Sequence, residues 1–368
     1  MKTYVIHSAL YLYREIFYMD IHDVKFSVNR FEKMINENSL LFFDSFEFEN
    51  IITYYLENGK TEYARKASEL SLSQHPTSPN LILLKIELYI NENKINEADK
   101  LLTSILIDEN INEEVYILKA NILSKKKLHS KAIEYLSKIL HTTENKNEIH
   151  YLIGLEYLFL EDFINSKSNF IKSLNYNSLD HSTLYNIIYC FEMLNDKYSS
   201  MNFLKKYLNK NPYCEISWYN IGKLHYSLKD YKQAIKSFDY SIISDSNFTS
   251  PYIEKAKVLQ KLKKYQEAIT NYKDLLAIKE NSYYAMMKIG YCYEKIKENS
   301  NALAFYYKAV HTEPSFDKAW YRLAKYFFKN KKFKKANDYI EKAIRINQEK
   351  SKYWKLYLKC TSLISTKN

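Results

Sequence analysis

The feature of this chain that most constrains its fold is a spacing of 34 residues that recurs over most of its 368 residues. One set of small residues has this spacing: Ala234, Ala268, Ala302 and Ala336. A second set lies 16 residues ahead of these alanines wherever one follows: Trp218, Tyr252, Met286, Trp320 and Trp354. Three of the four glycines are two periods apart: Gly154, Gly222 and Gly290. A fixed period of this length is typical of proteins in which each supersecondary unit stacks on the next.

Within one period, the apolar residues follow two helical stripes. The first stripe has positions i, i+3, i+4 and i+7: Trp218, Ile221, Gly222 and His225. The second stripe follows the same rule: Tyr231, Ala234, Ile235, Phe238 and Ile242. The chain has only 4 glycines and 5 prolines, which favours helices joined by short polar loops over strands and tight turns. Each unit is therefore predicted to be a pair of helices that buries its apolar face only by stacking on its neighbours.

The residues at these positions resemble the tetratricopeptide repeat (TPR) pattern. The unit 215–248 has Trp218, Gly222 and Ala234 at family positions, and the unit before it closes with Pro212. The unit beginning at Tyr283 matches nearly every family position: Ile289, Gly290, Tyr293, Ala302, Tyr306, Ala309 and Pro314. The resemblance implies an all-α fold, a right-handed superhelix of helical hairpins with a concave inner groove.

Counting by 34 predicts nine repeats over residues 45–350. Their expected first residues are Ser45, Pro79, Glu113, Asn147, His181, Glu215, Thr249, Tyr283 and Asp317. The match to the family is stronger in the last four repeats, because Ser166 and Ser200 replace the second-helix alanine earlier in the chain. Ala64, Ala98 and Ala132 nevertheless keep the same register.

The two ends are predicted to be caps. Residues 1–44 form the N-terminal cap, with one helix over 23–38 and Asp44 or Ser45 at the start of the first repeat helix. Residues 1–18 are either a loosely docked helix or an extension upstream of a gene start at Met19. Residues 351–368 form a closing helix and a tail. The run from Arg30 into the first repeat is similar to the opening of free-standing bacterial TPR proteins, a group from which no activity carries over.

The charge is concentrated in the second part of the chain. Residues 1–214 have 24 Lys+Arg and 28 Asp+Glu, whereas residues 215–368 have 30 and 15, within a net charge of +11. A basic half favours an acidic partner. The alternative is AT-rich codon bias, because only five of the 54 basic residues are arginine and Lys, Asn, Ile, Tyr and Phe are abundant.

No pattern in the sequence indicates catalysis, a cofactor or a metal. The four cysteines, Cys190, Cys214, Cys292 and Cys360, form no C-x-x-C pair, and buried free thiols are expected. No nucleophile elbow, dinucleotide-binding or kinase motif occurs, and the repeats leave no room for a catalytic domain. With no apolar run of membrane-spanning length and a poor match to a secretory signal, we expect a cytoplasmic protein without membrane insertion.

By resemblance, the inner groove is lined by positions 2, 5, 6, 9 and 13 of each first helix. The predicted peptide-binding residues are Tyr185, Tyr189, Tyr219, Asn220, Lys223, Lys257, Lys288, Tyr291, Lys318, Tyr321, Arg322, Lys325 and Lys329. Tyrosines among lysines suit an extended segment that has carboxylates or aromatic groups. The sequence therefore predicts a non-enzymatic scaffold whose partner is an acidic protein or peptide; it does not predict an oligomeric state.

Two other functions stay open at this point. RNA could bind to the basic half, although lysines without arginine forks read bases poorly. A co-chaperone role would need the carboxylate clamp of TPR proteins. Lys318 and Arg322 match the clamp's third repeat, but Ile253, Lys257 and Lys288 replace residues of the first two.

Overall fold

A computed structural model describes residues 21–105 and 113–365, and over these ranges the protein has twenty helices and no strand. The helices are α1 Ile21–Asn36, α2 Ser45–Glu57, α3 Thr61–Gln74, α4 Pro79–Asn91, α5 Ile95–Ile105, α6 Glu113–Lys125, α7 His129–Ile139, α8 Lys146–Phe159, α9 Phe163–Tyr176, α10 His181–Met193, α11 Lys197–Lys210, α12 Glu215–Ser227, α13 Tyr231–Ser244, α14 Thr249–Lys261, α15 Tyr265–Ile278, α16 Tyr283–Lys295, α17 Asn299–Thr312, α18 Asp317–Lys329, α19 Phe333–Ile346 and α20 Ser351–Ser365. The all-α prediction is confirmed.

The first helices of the repeats begin where the 34-residue spacing places them. The exception is α8, which begins at Lys146, one residue before the expected Asn147. The predicted alternatives for residues 1–18 and Met19 lie outside the described residues. Ahead of the repeats, Asp44 caps α2: its carboxylate accepts from the Glu47 N–H at 2.7 Å, and Glu47 Oε2 accepts from the Asp44 N–H at 3.1 Å.

The chain divides into two compact units, the first ending at Asp196 and the second beginning at Lys197. The boundary falls between α10 and α11, the two helices of the repeat that begins at His181. The repeat pattern in the sequence does not predict a division at this point. The predicted site residues Tyr185 and Tyr189 belong to the first unit, and the other eleven belong to the second.

Small residues at two repeat positions allow the helices of a hairpin to approach closely. The second-helix alanines Ala234, Ala268, Ala302 and Ala336 are fully buried. Opposite them, Gly222 faces the ring of Phe238 so closely that a side chain would collide with it. Where Ser166 replaces the alanine, its buried hydroxyl donates to the Gly154 carbonyl at 2.8 Å, which satisfies the added polar group.

Each hairpin turn contains one residue in the left-handed conformation, and these residues also recur every 34 positions. They are Gly59, Asn93, Lys127, Glu161, Asn195, Lys229, Lys263, Lys297 and Lys331. At Lys263, φ is +60°, and the next N–H, that of Lys264, donates to the Leu259 carbonyl at 2.9 Å. This bond closes the end of the first helix, so the turn is a C-terminal cap of the Schellman type.

A tryptophan near the start of several helices donates a hydrogen bond to the loop before that helix. The indole N–H of Trp218 donates to the Pro212 carbonyl, and that of Trp320 donates to the Pro314 carbonyl, both at 2.8 Å. Trp354 makes the same bond to Gln348 at 2.8 Å. The bond spans six residues each time, which explains why an aromatic donor suits this position.

The second unit has tyrosines in its core, and hydrogen bonds to Asp317 hold its last helix. Tyr272, Tyr306 and Tyr353 are fully buried. The four cysteines of the chain are buried and free. In the closing helix α20, the Tyr353 hydroxyl donates to Asp317 Oδ2 at 2.9 Å, and Lys350 donates to the same oxygen at 2.7 Å. The buried Asp317 carboxylate is therefore paired through groups at the start of the last helix.

Candidate functional site

The predicted site residues of the last three full repeats lie on three first helices of the second unit. Lys257 lies on α14, and Lys288 and Tyr291 lie on α16. Helix α18 provides the remainder: Lys318, Tyr321, Arg322, Lys325 and Lys329. Neighbouring first helices therefore present these side chains from successive repeats of one unit.

The ammonium group of Lys288 is the point at which the cations converge. Its side chain is half-buried. Burial lowers the pKa of Lys288, and the positive charges of Arg322, Lys257 and Lys318 lower it further. The Lys288 ammonium also lies 5.4 Å from the ring centre of Tyr284. The structure thus brings together cations from three repeats around one amine.

Arg322 is held in place by an aromatic ring. Its guanidinium carbon lies 4.5 Å from the ring centre of Tyr291, on the neighbouring helix. The ammonium of Lys295 lies 5.4 Å from the same ring. Cation–π contacts of this kind contribute about 0.5–1 kcal/mol at exposed sites.

Two of the predicted cations are already neutralised by carboxylates. Lys257 pairs with Glu254 at 2.6 Å; although burial lowers the pKa of Lys257, the hydrogen bond and charge of Glu254 raise it overall. Lys329 pairs with Glu294, which also accepts from the Tyr306 hydroxyl at 2.8 Å. These two lysines have lost part of their capacity to attract a further anion.

Four other cations have no such partner. Within residues 21–105 and 113–365, none of the four forms an ion pair with a carboxylate. They are Lys288, Lys318, Arg322 and Lys325. Lys325 is exposed, and burial together with the charges of Arg322 and Lys329 lowers its pKa in spite of Glu294. We call Lys288, Lys318, Arg322 and Lys325 the unpaired cation cluster.

Tyr321 on α18 is in contact with the closing helix α20. Its ring centre lies 4.9 Å from that of Tyr353, and the Lys352 ammonium lies 5.1 Å from it. The ring remains half-buried, so it presents one part of its surface to solvent.

The residues predicted on α12 have their own local contacts. Asn220 is buried, and its amide donates to the Ile216 carbonyl at 2.8 Å within the same helix. Its carbonyl oxygen lies 3.5 Å from the Lys223 ammonium, which is 5.7 Å from the Tyr219 ring centre. The Asn220 amide is therefore engaged within its own helix.

Tyr185 and Tyr189 on α10 lie in the first unit and are exposed, by 49% and 44%. The Tyr189 ring centre lies 6.2 Å from that of Phe163. They form an aromatic surface of that unit and are described apart from the cation cluster.

Several residues of the site were missed by sequence reasoning. Tyr284 and Glu254 occupy groove positions 2 and 6 of their repeats, so the family pattern contained a signal for both. Glu294 is not at a groove position, and its pairing with Lys329 on the next repeat had no signal in the sequence.

No helix within the described ranges combines the length and the apolar character needed to cross a bilayer.

Two family models match parts of the chain. One, described as tetratricopeptide repeat, matches residues 113–141 and 216–240. The other, described as a domain of unknown function (DUF7017), matches residues 251–367. No curated protein matches the chain.

Solved structures of repeat proteins resemble the chain. One is the C-terminal part of a TPR repeat-containing protein from Cytophaga hutchinsonii, with 14% identity over 65% of this chain and 98% of that one, at a TM-score of 0.51. A second is YrrB, described as a TPR protein with an unusual peptide-binding site, with 20% identity over 52% and 97% of the two chains and a TM-score of 0.42. A third is MamA from Desulfovibrio magneticus RS-1, with 21% identity over 47% and 98% and a TM-score of 0.41.

The likeness to the Cytophaga structure is one of fold. It agrees with the family match at two repeats and with the helical hairpins that begin at the expected positions. The chain is therefore a tetratricopeptide repeat protein.

Proposed function

We propose that this protein is a non-enzymatic scaffold that binds an acidic, extended segment of another protein along α14, α16 and α18. The observation that supports this most directly is the unpaired cation cluster. Cations that lie close together without carboxylates repel one another, so an incoming anion relieves that repulsion as well as forming new contacts. Two successive repeats contribute to the cluster, through α16 and α18, which suits a ligand that lies across neighbouring helices.

Aromatic rings beside the cluster support a peptide as the ligand. Tyr291 stacks under Arg322, and Tyr284 lies beside Lys288. Such rings bury apolar parts of a peptide while their hydroxyl groups remain available for hydrogen bonds. Exposed ion pairs contribute only about 0.2–1 kcal/mol each, so binding needs several charges together with aromatic burial.

A nucleic acid fits the same surface less well. The cluster contains one guanidinium among lysines, and lysine is a point charge without the fork that reads base edges. A co-chaperone function also has only partial support. Lys318 and Arg322 occupy their clamp positions, whereas Lys257 is paired with Glu254.

The test compares two variants that have the same change in charge. The first replaces Lys288, Lys318, Arg322 and Lys325 with glutamate, and the second replaces four exposed lysines away from the groove positions, Lys232, Lys236, Lys279 and Lys334. Binding of a labelled glutamate- and tyrosine-rich peptide is measured by anisotropy. Circular dichroism checks that both variants stay helical.

We expect the first variant to lose the peptide and the second to keep most of the affinity. Binding should weaken with salt, since the Debye length falls from about 10 Å at 0.1 M to about 3 Å at 1 M. Equal binding, or equal loss, in the two variants would contradict the groove. Salt-steep binding of single-stranded RNA that exceeds peptide binding would favour the nucleic-acid alternative.

A further inference from the structure

Three members of the unpaired cation cluster, Lys288, Lys318 and Arg322, are placed close together by a contact between α16 and α18. The Arg322 guanidinium lies on the ring of Tyr291, which is one helical turn from Lys288 on α16, and Lys318 is one turn from Arg322 on α18. The charges of Arg322, Lys257 and Lys318 all act on the Lys288 ammonium group. Lys257 brings its own counter-charge, Glu254, at 2.6 Å. The net positive charge around Lys288 therefore comes from Lys288 itself, Lys318 and Arg322.

An extended segment with ordinary acidic residues matches such a point poorly. Residues of an extended chain rise by about 3.3 Å each, so carboxylates that face the same side lie roughly 6.6 Å apart. Each brings one charge and two oxygens. A phosphate monoester brings about two charges at neutral pH and three acceptor oxygens on a single atom.

The arrangement of Arg322 fits that chemistry. The guanidinium carbon of Arg322 lies 4.5 Å from the ring centre of Tyr291, so the ring restricts where the guanidinium can move. Arginine in this state donates two parallel hydrogen bonds to phosphate, while lysines contribute as point charges. Lys288 and Lys318, from α16 and α18, are then available for the remaining oxygen.

We propose that Lys288, Lys318 and Arg322 form a phosphate-binding point that takes a phosphorylated side chain of the partner segment, so that phosphorylation of the partner increases its affinity. This inference rests on the proposed function, because it assumes that a peptide lies along α14, α16 and α18. It goes further in naming the group that the cluster recognises.

Binding of a phosphate at this point is coupled to protonation of the Lys288 amine. The groups that act on Lys288 are Lys257 from α14, Tyr284 and Cys292 from its own helix, and Lys318 and Arg322 from α18. Glu254 on α14 pairs with Lys257. Burial, together with these cations, keeps the pKa of Lys288 below its ordinary value in the free protein. A bound dianion raises that pKa again, so the complex takes up protons at alkaline pH and the affinity falls as pH rises.

The experiment uses the full chain and three degenerate peptide libraries that share flanking positions. The central residue is fixed as phosphoserine, glutamate or serine. We expect the phosphoserine library to bind more tightly than the glutamate library by about tenfold or more, as one to three additional charge-assisted hydrogen bonds would give. Lys288→Met should remove most of this difference, and Lys236→Met should not.

Calorimetry in buffers of different ionisation enthalpy gives a second readout. At about pH 9 the phosphate is fully ionised, so any proton uptake on phosphopeptide binding comes from the protein. We expect uptake in the parent chain and a reduced uptake in Lys288→Met. A substitution that acted only through folding would leave the ratio of phosphoserine to glutamate affinity unchanged.

The outcomes separate the two proposals. If the phosphoserine and glutamate libraries bind equally, and Lys288→Met weakens both equally, the phosphate point is wrong while the acidic-peptide scaffold stands. If no library binds, both are wrong. If inorganic phosphate alone competes at the concentration at which the phosphopeptide binds, the site takes free phosphate and the partner assignment fails. Tighter binding of RNA than of the phosphoserine library would also overturn it.

Discussion

The ring of Phe238 lies against Gly222 so closely that a β-carbon on Gly222 would be 2.5 Å from Phe238 Cε1. The same relationship joins Gly154 to Phe170 and Gly290 to Tyr306. The small residue and the ring are thus a matched pair in these hairpins. A side chain added at the glycine while the ring is kept would collide with the ring and force the two helices of the hairpin apart.

We predict that Gly222→Ala destabilises the second unit. Alanine improves helix propensity by about 1 kcal/mol, but overpacking typically costs about 1–3 kcal/mol, so the expected net loss is up to about 2 kcal/mol. Urea unfolding followed by tryptophan fluorescence measures it, since Trp218, Trp320 and Trp354 all lie in this unit. The pair Gly222→Ala and Phe238→Leu should recover part of the loss; a strictly additive double variant would show that the ring is not the cause.

We predict that Trp218→Phe costs about 0.5–1.5 kcal/mol, the usual contribution of one hydrogen bond. Phenylalanine keeps an aromatic surface against Tyr240, whose ring centre is 4.7 Å away, but it cannot donate to the Pro212 carbonyl. Urea unfolding followed by circular dichroism measures the change. Met286 already occupies this repeat position without an indole, so Met286→Leu serves as a control that should cost less.

We predict that Lys263→Gly stabilises the second unit by up to about 1 kcal/mol. Its φ of +60° disfavours any residue with a β-carbon, and its side chain is exposed. The control is Lys279→Gly, because Lys279 also follows a helix but has φ of −127°. Thermal unfolding should show a higher midpoint for the first variant and a lower or equal midpoint for the second. A loss in both would mean that the Lys263 side chain makes a stabilising contact.

We predict that the first unit becomes less stable as pH rises through neutrality, because of Glu148. Burial, with a smaller contribution from the charge of Glu113, raises the pKa of Glu148 from 4.5 to about 7. Because the folded pKa exceeds the unfolded one, the stabilisation is complete below about pH 4.5 and is lost as pH rises through about 7. The full effect is on the order of 3 kcal/mol.

Hydrogen exchange of α8 at pH 5 and pH 8 measures this effect after correction for intrinsic exchange rates. Protection of α8 should fall more in the parent chain than in Glu148→Gln, which cannot ionise. Glu134→Gln is the matched control, since Glu134 is exposed and pairs with Lys138. An equal pH dependence in all three proteins would show that Glu148 is not the titrating group.

Much of the fold follows from the sequence because stacking repeats constrains it at each period. The alanine, glycine and tryptophan positions mark where helices touch or where a helix is tied to a loop, so they recur visibly. The left-handed conformation of the turns was not predicted, because glycine does not recur at this position in the sequence. Lys263, Lys297 and their equivalents adopt a conformation that favours glycine, yet only one of them, Gly59, is a glycine, because the cap bonds form through the backbone whatever the side chain.

The sequence predicted which helices present the site residues, but not which of their charges are neutralised by carboxylates. The family positions place Lys288, Lys318 and Arg322 on successive first helices, and the structure brings their charges together. Which cations are neutralised depends on contacts between repeats. Glu294 and Lys329 are separated by 35 residues, and nothing in the spacing distinguishes that pair from the many other acidic and basic residues of the chain. The assignment of the groove as a binding site stays a prediction.

Because the left-handed turn recurs in every repeat, the array can be shortened or extended by whole repeats. Lys263 and Lys297 have the same backbone conformation, and each is followed by a residue whose N–H closes the helix before it. Joining Lys263 directly to Glu298 would therefore recreate a turn that the chain already uses, while removing one first helix and one second helix in register. The length of this protein can change by one period at a time without the invention of a new loop, and the groove would lengthen or shorten with it.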